Sequence, residues 1–332
     1  MPSSGTRLSI KTYIEAINDA LHYELERDPS VFLIGEDIGP YGGAFKATKG
    51  LYDKFGEQRV IDTPIAESGL VGTALGAALF GYRPVAEMQF ADFVTNTFNT
   101  LVTVAATTAY RWNLPLPFVL RLPSGGGLSG GPFHSRNPEV WFAHQPGLKI
   151  VCPSSPSDAK GLLIAAIRDQ SPVLYFEHKR LYRSLKEEVP DGEHIVEIGK
   201  ARTVREGSDA SIITYGGTVP MAKEVVDEFA QKGIANIEVI DIRSLAPFDE
   251  EAVLASVRKT SRALILHEDN LTAGFGAEIA ARITDKAFES LDAPIKRLAA
   301  YDAPVPFAPN LEKMILPSKA QLEAALMGLL EY

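Results

Sequence analysis

The sequence predicts an α/β protein built as two doubly wound domains, and three observations carry that prediction. Apolar runs such as "VFLIGED" (31–37), "PFVLRLP" and "PVLYFEH" show no clean polar alternation, as expected of strands buried on both faces. Segments with helical spacing lie between them, the order that lays parallel strands under covering helices. A polar stretch, "KEEVPDGEHIVEIGKARTVREGSD" (186–209), then interrupts the series, and a second series follows it. We therefore draw a first domain over 1–190, a linker over 191–207 and a smaller second domain over 208–332.

The elements follow in order. "SIKTYIEAINDALHYELERD" places Ile10, Tyr13, Ile14, Ile17, Leu21 and Leu25 on one helical face, with Ser9 as its cap. "GLVGTALGAALFG" (69–81) reads as a helix of small residues that lets backbones approach closely. The strand "RPVAEMQF" (83–90) and the helix "TLVTVAATTAYRW" (100–112) come next. The strand "LKIVCPS", the helix "SDAKGLLIAAIRD" and the strand "PVLYFEH" complete the first series. Between them, "SGGGLSGGPFHSRNPEVWFAHQPG" (124–147) has no periodicity. A loop of that length within a domain is usually functional or mobile. The second series runs "ASIITYG", "VPMAKEVVDEFAQKG", "IEVIDIRSL", "DEEAVLASVRKT", "RALILHED", "GAEIAARITDKAFESL" and "APIKRLAAYD", with a last helix from Ser318.

Composition excludes several classes of function. A chain of 332 residues with 45% apolar content can bury two cores. A formal net charge of −9 argues against a nucleic-acid partner, which needs a basic stripe. No apolar run approaches a membrane span, so no membrane partner is expected. The single cysteine, Cys152, sits in an apolar strand-like run and reads as a buried, inert thiol. The start "MPSSGTRLSI" reads as too short and polar for a leader peptide. A reducing cytoplasm is the expected location, and a mature mitochondrial form is also compatible.

Local chemistry alone leaves two residues open. Glu67 in "DTPIAESG" is either a first-turn acid favoured by the helix dipole or a buried carboxyl that manages a proton. His134, in the Gly-rich loop, either bonds local backbone or reaches a ligand. "GFGAEI" (274–279) carries Ile279 where a dinucleotide fingerprint needs its third glycine, so close helix–sheet packing is the better reading. "SGGGLSGG" lacks the Lys-Ser/Thr of a phosphate loop. The six histidines form no i, i+4 pair suited to a helical zinc site.

Three long stretches reach further: "RVIDTPIAESGLVGTALGAALFGYRPVAEMQFADF" (59–93), "SGGGLSGGPFHSRNPEVWFAHQPGLKIV" (124–151) and "SDAKGLLIAAIRDQSPVLYFEHKRLYR" (157–183). Together with "HEDNLTAGFGAEIA", in order and at matching spacing, they closely resemble the β subunit of the E1 component of 2-oxo acid dehydrogenase complexes. "EMQFADF", "FHSRNPE" and "EHKRLYRSLKEE" resemble the branched-chain type most, with the pyruvate and acetoin types as the alternative. A non-catalytic scaffold of the same fold is the reading that loss of Glu67 or His134 would have favoured.

The resemblance implies a transketolase-like pyrimidine-binding domain followed by a transketolase C-terminal-like domain, and thiamine diphosphate as cofactor. It implies oxidative decarboxylation of a branched-chain 2-oxo acid, with reductive acylation of the lipoyl group of an E2 core. By the same mapping Glu67 faces the aminopyrimidine N1′ as a buried acid, Ile65 packs beside that ring, Gln89 lies near the cofactor, and Phe93 stacks on it. Branched-chain relatives often carry Tyr at the Phe93 position. His134 matches the histidine that helps pass the acyl group to lipoyl, although Arg136 stands where many relatives have Gln. A structural potassium ion maps to Ala166, Asp169 and Ser171. No Gly-Asp-Gly occurs in the sequence. The resemblance therefore assigns the Mg2+-diphosphate half of the site to an E1 α subunit, in an α2β2 heterotetramer.

Overall fold

The structure is a computed structural model that describes residues 7–332; the residues on which the leader-peptide reading mainly rests lie outside them. The chain divides into two compact units. The first holds residues up to 124 together with 141–198, and the second holds 125–140 with 199–332.

In the first unit, β1 (Leu8–Thr12) leads into α1 (Tyr13–Arg27). Ser9 is not the cap: it lies in β1 and donates to Asp191, and Thr12 caps α1 in a reciprocal box with Glu15. The sequence reading carried the helix too far because "LSIKT" pairs antiparallel with β8 (Lys186–Pro190), a tertiary contact that local spacing does not encode. The parallel strands are β2 (Val31–Gly35), β3 (Val60–Asp62), β4 (Arg83–Glu87), β5 (Val119–Ser124), β6 (Lys149–Val151) and β7 (Val173–His178). Within this unit they lie in the order β6-β7-β5-β4-β2-β3. Every residue of β2, β5 and β7 is buried, which is why these strands read as continuous apolar runs.

The helices of this unit are α1, α2 (Leu51–Phe55), α3 (Glu67–Leu79), α4 (Thr108–Trp112), α6 (Pro156–Arg168) and α7 (Leu181–Ser184), while α5 (Glu139–Ala143) begins in residues of the second unit. Ser155 caps α6 with Pro156 in its first turn, so the helix starts just ahead of the "SDAKGLLIAAIRD" read from the sequence. The helix expected over 100–112 is instead a π turn (Thr100–Ala105) followed by α4. Hydroxyls of Thr103, Thr107 and Thr108 donate back to carbonyls four residues earlier, which loosens regular winding. The glycines of α3 do not serve close packing within this chain, because a Cβ built at Gly72 or Gly76 meets nothing within 4 Å.

The second unit carries β9 (Arg202–Arg205), β10 (Ala210–Thr214), α8 (Val219–Gln231), β11 (Ile237–Asp241), β12 (Ser244–Ala246) and α9 (Glu250–Thr260). They are followed by β13 (Ala263–Asn270), α10 (Phe275–Ala287), β14 (Lys296–Ala300), α11 (Pro309–Ile315) and α12 (Lys319–Leu330). The sheet order is β14-β13-β10-β11-β9, parallel except for β9. The segment drawn as linker thus contributes an edge strand. The Gly-rich loop also leaves the first domain for this unit, because its amides bond to carboxylates of β13 and α11. Gly274 and Gly276 make room for the buried His267 ring, where an added Cβ would come within 2.6 Å. The glycine pair therefore serves helix–sheet packing.

Candidate functional site

The carboxyl ends of parallel strands are where an α/β sheet leaves room for a ligand. In the first unit β2, β3 and β4 end side by side, Gly35 opposite both Asp62 and Glu87. The turn after β2 brings Glu36 and Asp37, the turn after β3 brings Ile65 and Glu67, and the turn after β4 brings Gln89 and Phe93. Gln89 Nε2 donates to Asp37 at 2.9 Å, and Asp37 takes a left-handed φ of 58° to present its carboxylate. The Glu36 carboxyl accepts from the Ala66 amide, at the start of α3. Ser68 of α3 donates to the Asn96 carbonyl, which ties the Glu67 turn to the 3₁₀ turn carrying Phe93.

Glu67 is half-buried, not interior as the sequence reading required. It opens α3 beside Ile65, which is 80% exposed, so this side of the unit stands open. Beside Glu67, Glu36 is a buried carboxyl, at 6% exposure, without an ion-pair partner among the described residues of the kind Glu87 has in Arg121. Burial, and then the charges of Glu67 and Asp37, push its pKa above the usual carboxylate value. Sequence reasoning passed over Glu36. The available signal was its position, immediately after a fully buried parallel strand.

A rigid floor supports these turns. Arg121 is buried, gripped by Glu177 at 2.6 and 2.8 Å and by Glu87, while Tyr182 donates to Glu177 at 2.7 Å. Burial raises the proton affinity of Glu87, opposed by the Arg121 charge. Removing one partner of such a network would strand a charge in the interior. Phe93 meets Phe90 edge-on at 5.7 Å, and Phe90 meets Phe45 at 5.4 Å.

The proposed cation residues lie elsewhere in this unit. The Ala166 carbonyl accepts from the Asp169 amide at 3.2 Å. Asp169 bonds Lys149 at 2.5 Å and the Ser171 amide at 2.8 Å, and Arg83 donates to the Ile167 and Asp169 carbonyls. Among the described residues, no group of three or more His, Cys, Asp or Glu side chains is placed to hold a metal ion. Among them, too, no helix is long and apolar enough to cross a membrane.

In the second unit the loop is closed by Gly125 donating to the Arg136 carbonyl at 3.0 Å. His134 is half-buried, and its Nδ1 lies 3.2 Å from the Gly130 carbonyl. A carbonyl can only accept, so Nδ1 is the donor in this bond, and Nε2 is the nitrogen that carries the lone pair whenever the ring is neutral. Arg136 is exposed and donates to the Pro132 carbonyl. Behind the loop, Glu139 is buried and accepts from the Tyr215 hydroxyl at 3.1 Å. Burial, with the Asp269 charge second, pushes the Glu139 pKa up to about 8. Burial likewise pushes Asp269 up to about 7. His267, stacked on Tyr215 at 6.2 Å, is pushed down to about 4 by burial and then by Arg297.

Residues 10–184 match the family described as "Transketolase, pyrimidine binding domain", and residues 199–322 match "Transketolase, C-terminal domain". The chain is 48% identical to the 2-oxoisovalerate dehydrogenase subunit beta of Bacillus subtilis, over 98% of this chain and 100% of that protein. It is 46% identical to a pyruvate dehydrogenase E1 component subunit beta of Staphylococcus epidermidis, over 94% of this chain and 98% of that one. A solved split-gene transketolase, described as an inactive β4 tetramer, shares the fold at a TM-score of 0.77. That match covers 96% of this chain and 98% of the other at 19% identity. The pyrimidine-binding domain implies dependence on thiamine diphosphate. With both domains matched in order and near-complete coverage of its relatives, this chain belongs to the β subunits of 2-oxo acid dehydrogenase E1 components.

Proposed function

We propose that this β subunit acts in the oxidative decarboxylation of a branched-chain 2-oxo acid and the reductive acylation of an E2 lipoyl group, as the partner of an E1 α subunit in an α2β2 heterotetramer. The observation that carries the reading is the meeting of Glu67, Gln89, Phe93 and the exposed Ile65 at one carboxyl edge, next to the buried Glu36.

That set fits an aminopyrimidine. Ile65 and Phe93 offer apolar faces to the ring, Glu67 offers a carboxylate to a ring nitrogen, and Gln89 is an amide already oriented by Asp37. The Thr63 hydroxyl, two residues before Ile65, is buried without a hydrogen-bond partner, a polar atom that a ligand could satisfy. When bound, thiamine diphosphate supplies the nucleophilic carbon and the electron sink for decarboxylation. Glu67 would hold a proton at the pyrimidine ring nitrogen through a charge-assisted bond. A donor arriving there relieves the repulsion that Glu36 now experiences from Glu67. His134, with its lone pair on Nε2, would take or give the proton that acyl transfer to lipoyl requires. Mg2+ and the diphosphate fall to the α subunit, because the chain has no Gly-Asp-Gly motif. A potassium ion on the Ala166–Ser171 turn belongs to the same reading. Each carbonyl has two lone pairs, so the Ala166 and Asp169 oxygens keep an acceptor site beyond the bonds they already make.

Pyruvate is the second substrate reading, and two observations favour it. The pyruvate dehydrogenase relative is nearly as similar, and Phe93 lacks the hydroxyl usual in branched-chain relatives. Co-expression with an α subunit decides between them. The assembled enzyme is expected to decarboxylate 3-methyl-2-oxobutanoate faster than pyruvate or acetoin. Glu67→Gln is expected to assemble normally and lose about a hundredfold or more in rate, the scale of a lost acid–base group. A preference for pyruvate would overturn the substrate assignment, and near-normal turnover of the variant would remove the proton role.

A further inference from the structure

We propose that Glu312 and Glu268 are positioning residues for His134: two buried carboxylates that act as built-in anions for the Gly-rich loop and hold its histidine in register. The inference rests on the role of His134 proposed above and adds residues to that site.

The loop presents its amides like an anion-binding nest. Gly125, Gly127, Ser129 and Gly131 take left-handed φ values of 85°, 86°, 56° and 74°, so successive N–H groups turn inward. Such a concavity commonly receives a phosphate. Here the protein supplies the anion itself. Glu312 Oε1 accepts from the Gly127 amide at 2.8 Å, while Oε2 accepts from the Ser129 amide at 3.0 Å and its hydroxyl at 3.4 Å. Glu268 Oε1 accepts from the Gly126 amide at 2.7 Å and from Asn137 Nδ2 at 3.1 Å. These bonds flank His134 in sequence, and both carboxylates are buried, at 4% and 7% exposure. Each bond is charge-assisted, hence roughly twice as strong as a neutral one.

Packing demands the same arrangement. A Cβ on Gly126 would come within 2.8 Å of Leu316, and one on Gly131 within 2.3 Å of the Phe307 ring. The glycines let the loop settle against α11 and the segment before it, and the carboxylates lock it there. Glu268 ends the buried part of β13, and Glu312 sits in the middle of α11, so both anchors stand on regular elements.

Glutamine is the informative substitution at 312. Its amide can accept from Gly127 or from Ser129, and its NH2 then faces the other N–H donor to donor. Losing a charge-assisted bond in this way corresponds to about a tenfold or larger shift in the held population of the loop. In the full-length chain assembled with its α subunit, Glu312→Gln is expected to speed hydrogen exchange of the Gly127 and Ser129 amides about tenfold or more. The kcat for acylating a free lipoyl domain is expected to fall by a similar factor, with the KM for the 2-oxo acid unchanged. Glu312→Asp, which keeps two acceptors, is expected to recover part of both. Glu268→Gln keeps its accepting oxygen and is expected to have a smaller effect; it and Glu312→Asp carry the comparison if Glu312→Gln does not assemble.

Unchanged exchange at both amides would overturn the proposal. So would intact acylation in Glu312→Gln alongside lost acylation in His134→Ala. If His134→Ala itself acylates normally, the histidine assignment is what fails, and the exchange measurement still decides whether the carboxylates hold the loop.

Discussion

Glu67 and Glu36 show how far a single residue can be read. The sequence singles out Glu67 through its motif, yet places it in the interior, whereas it is half-buried and the neighbouring Glu36 is buried. Burial depends on what folds over a side chain, and no local pattern states that. Glu139 makes the same point with a measurable consequence. Its folded pKa of about 8 lies above the ordinary 4.5, so its stabilising contribution is complete below the ordinary value and is lost as pH rises through the folded one. Glu139→Gln mimics the neutral form at every pH. The melting temperature of the variant minus that of the wild type is therefore expected to grow between pH 5 and pH 8.5. Two parallel curves would show that Glu139 is ionised in the fold. His267 acts in the opposite sense and lower down: its pKa is depressed to about 4, so its contribution is present above 6.5 and lost as pH falls toward 4.

Elements were legible where local chemistry and tertiary packing agree. The buried strands β2 and β7 and the Ser318 start of α12 are written in the chain. β1 and β9 were missed because each exists through pairing with a strand distant in sequence. The glycines separate the two causes. In α3, Gly72 has open space around it, so Gly72→Ala is expected to stabilise the isolated chain by ~0.5–1 kcal/mol, the helix-propensity difference. In α10, Gly276→Ala would drive a methyl to 2.6 Å from the buried His267 ring and is expected to cost ~1–3 kcal/mol. Urea unfolding of both variants checks the pair; equal effects would mean that packing at His267 is not tight.

For the whole molecule, the question is which parts of the site this chain supplies. It holds a carboxyl edge suited to a pyrimidine and no Gly-Asp-Gly segment for a metal-bound diphosphate. Titration calorimetry is therefore expected to find weak binding of thiamine diphosphate–Mg2+ to the isolated chain. Binding to the α-containing assembly is expected to be at least tenfold tighter, and tighter in potassium than in sodium salts if the Ala166–Ser171 turn holds a cation. Micromolar binding by the isolated chain would end the shared-site reading, and equal binding in the two salts would end the cation reading.

The sequence by itself determined the two-domain α/β class through its local periodicity, and the family through a resemblance that runs nearly the whole chain; Glu67, Gln89, Phe93 and His134 are the candidates that resemblance names. Only the tertiary structure decided which acids are buried, which unit owns the Gly-rich loop, and that Glu268 and Glu312 grip it. Those facts depend on residues more than a hundred positions apart meeting in space, where desolvation and hydrogen bonding set the energies.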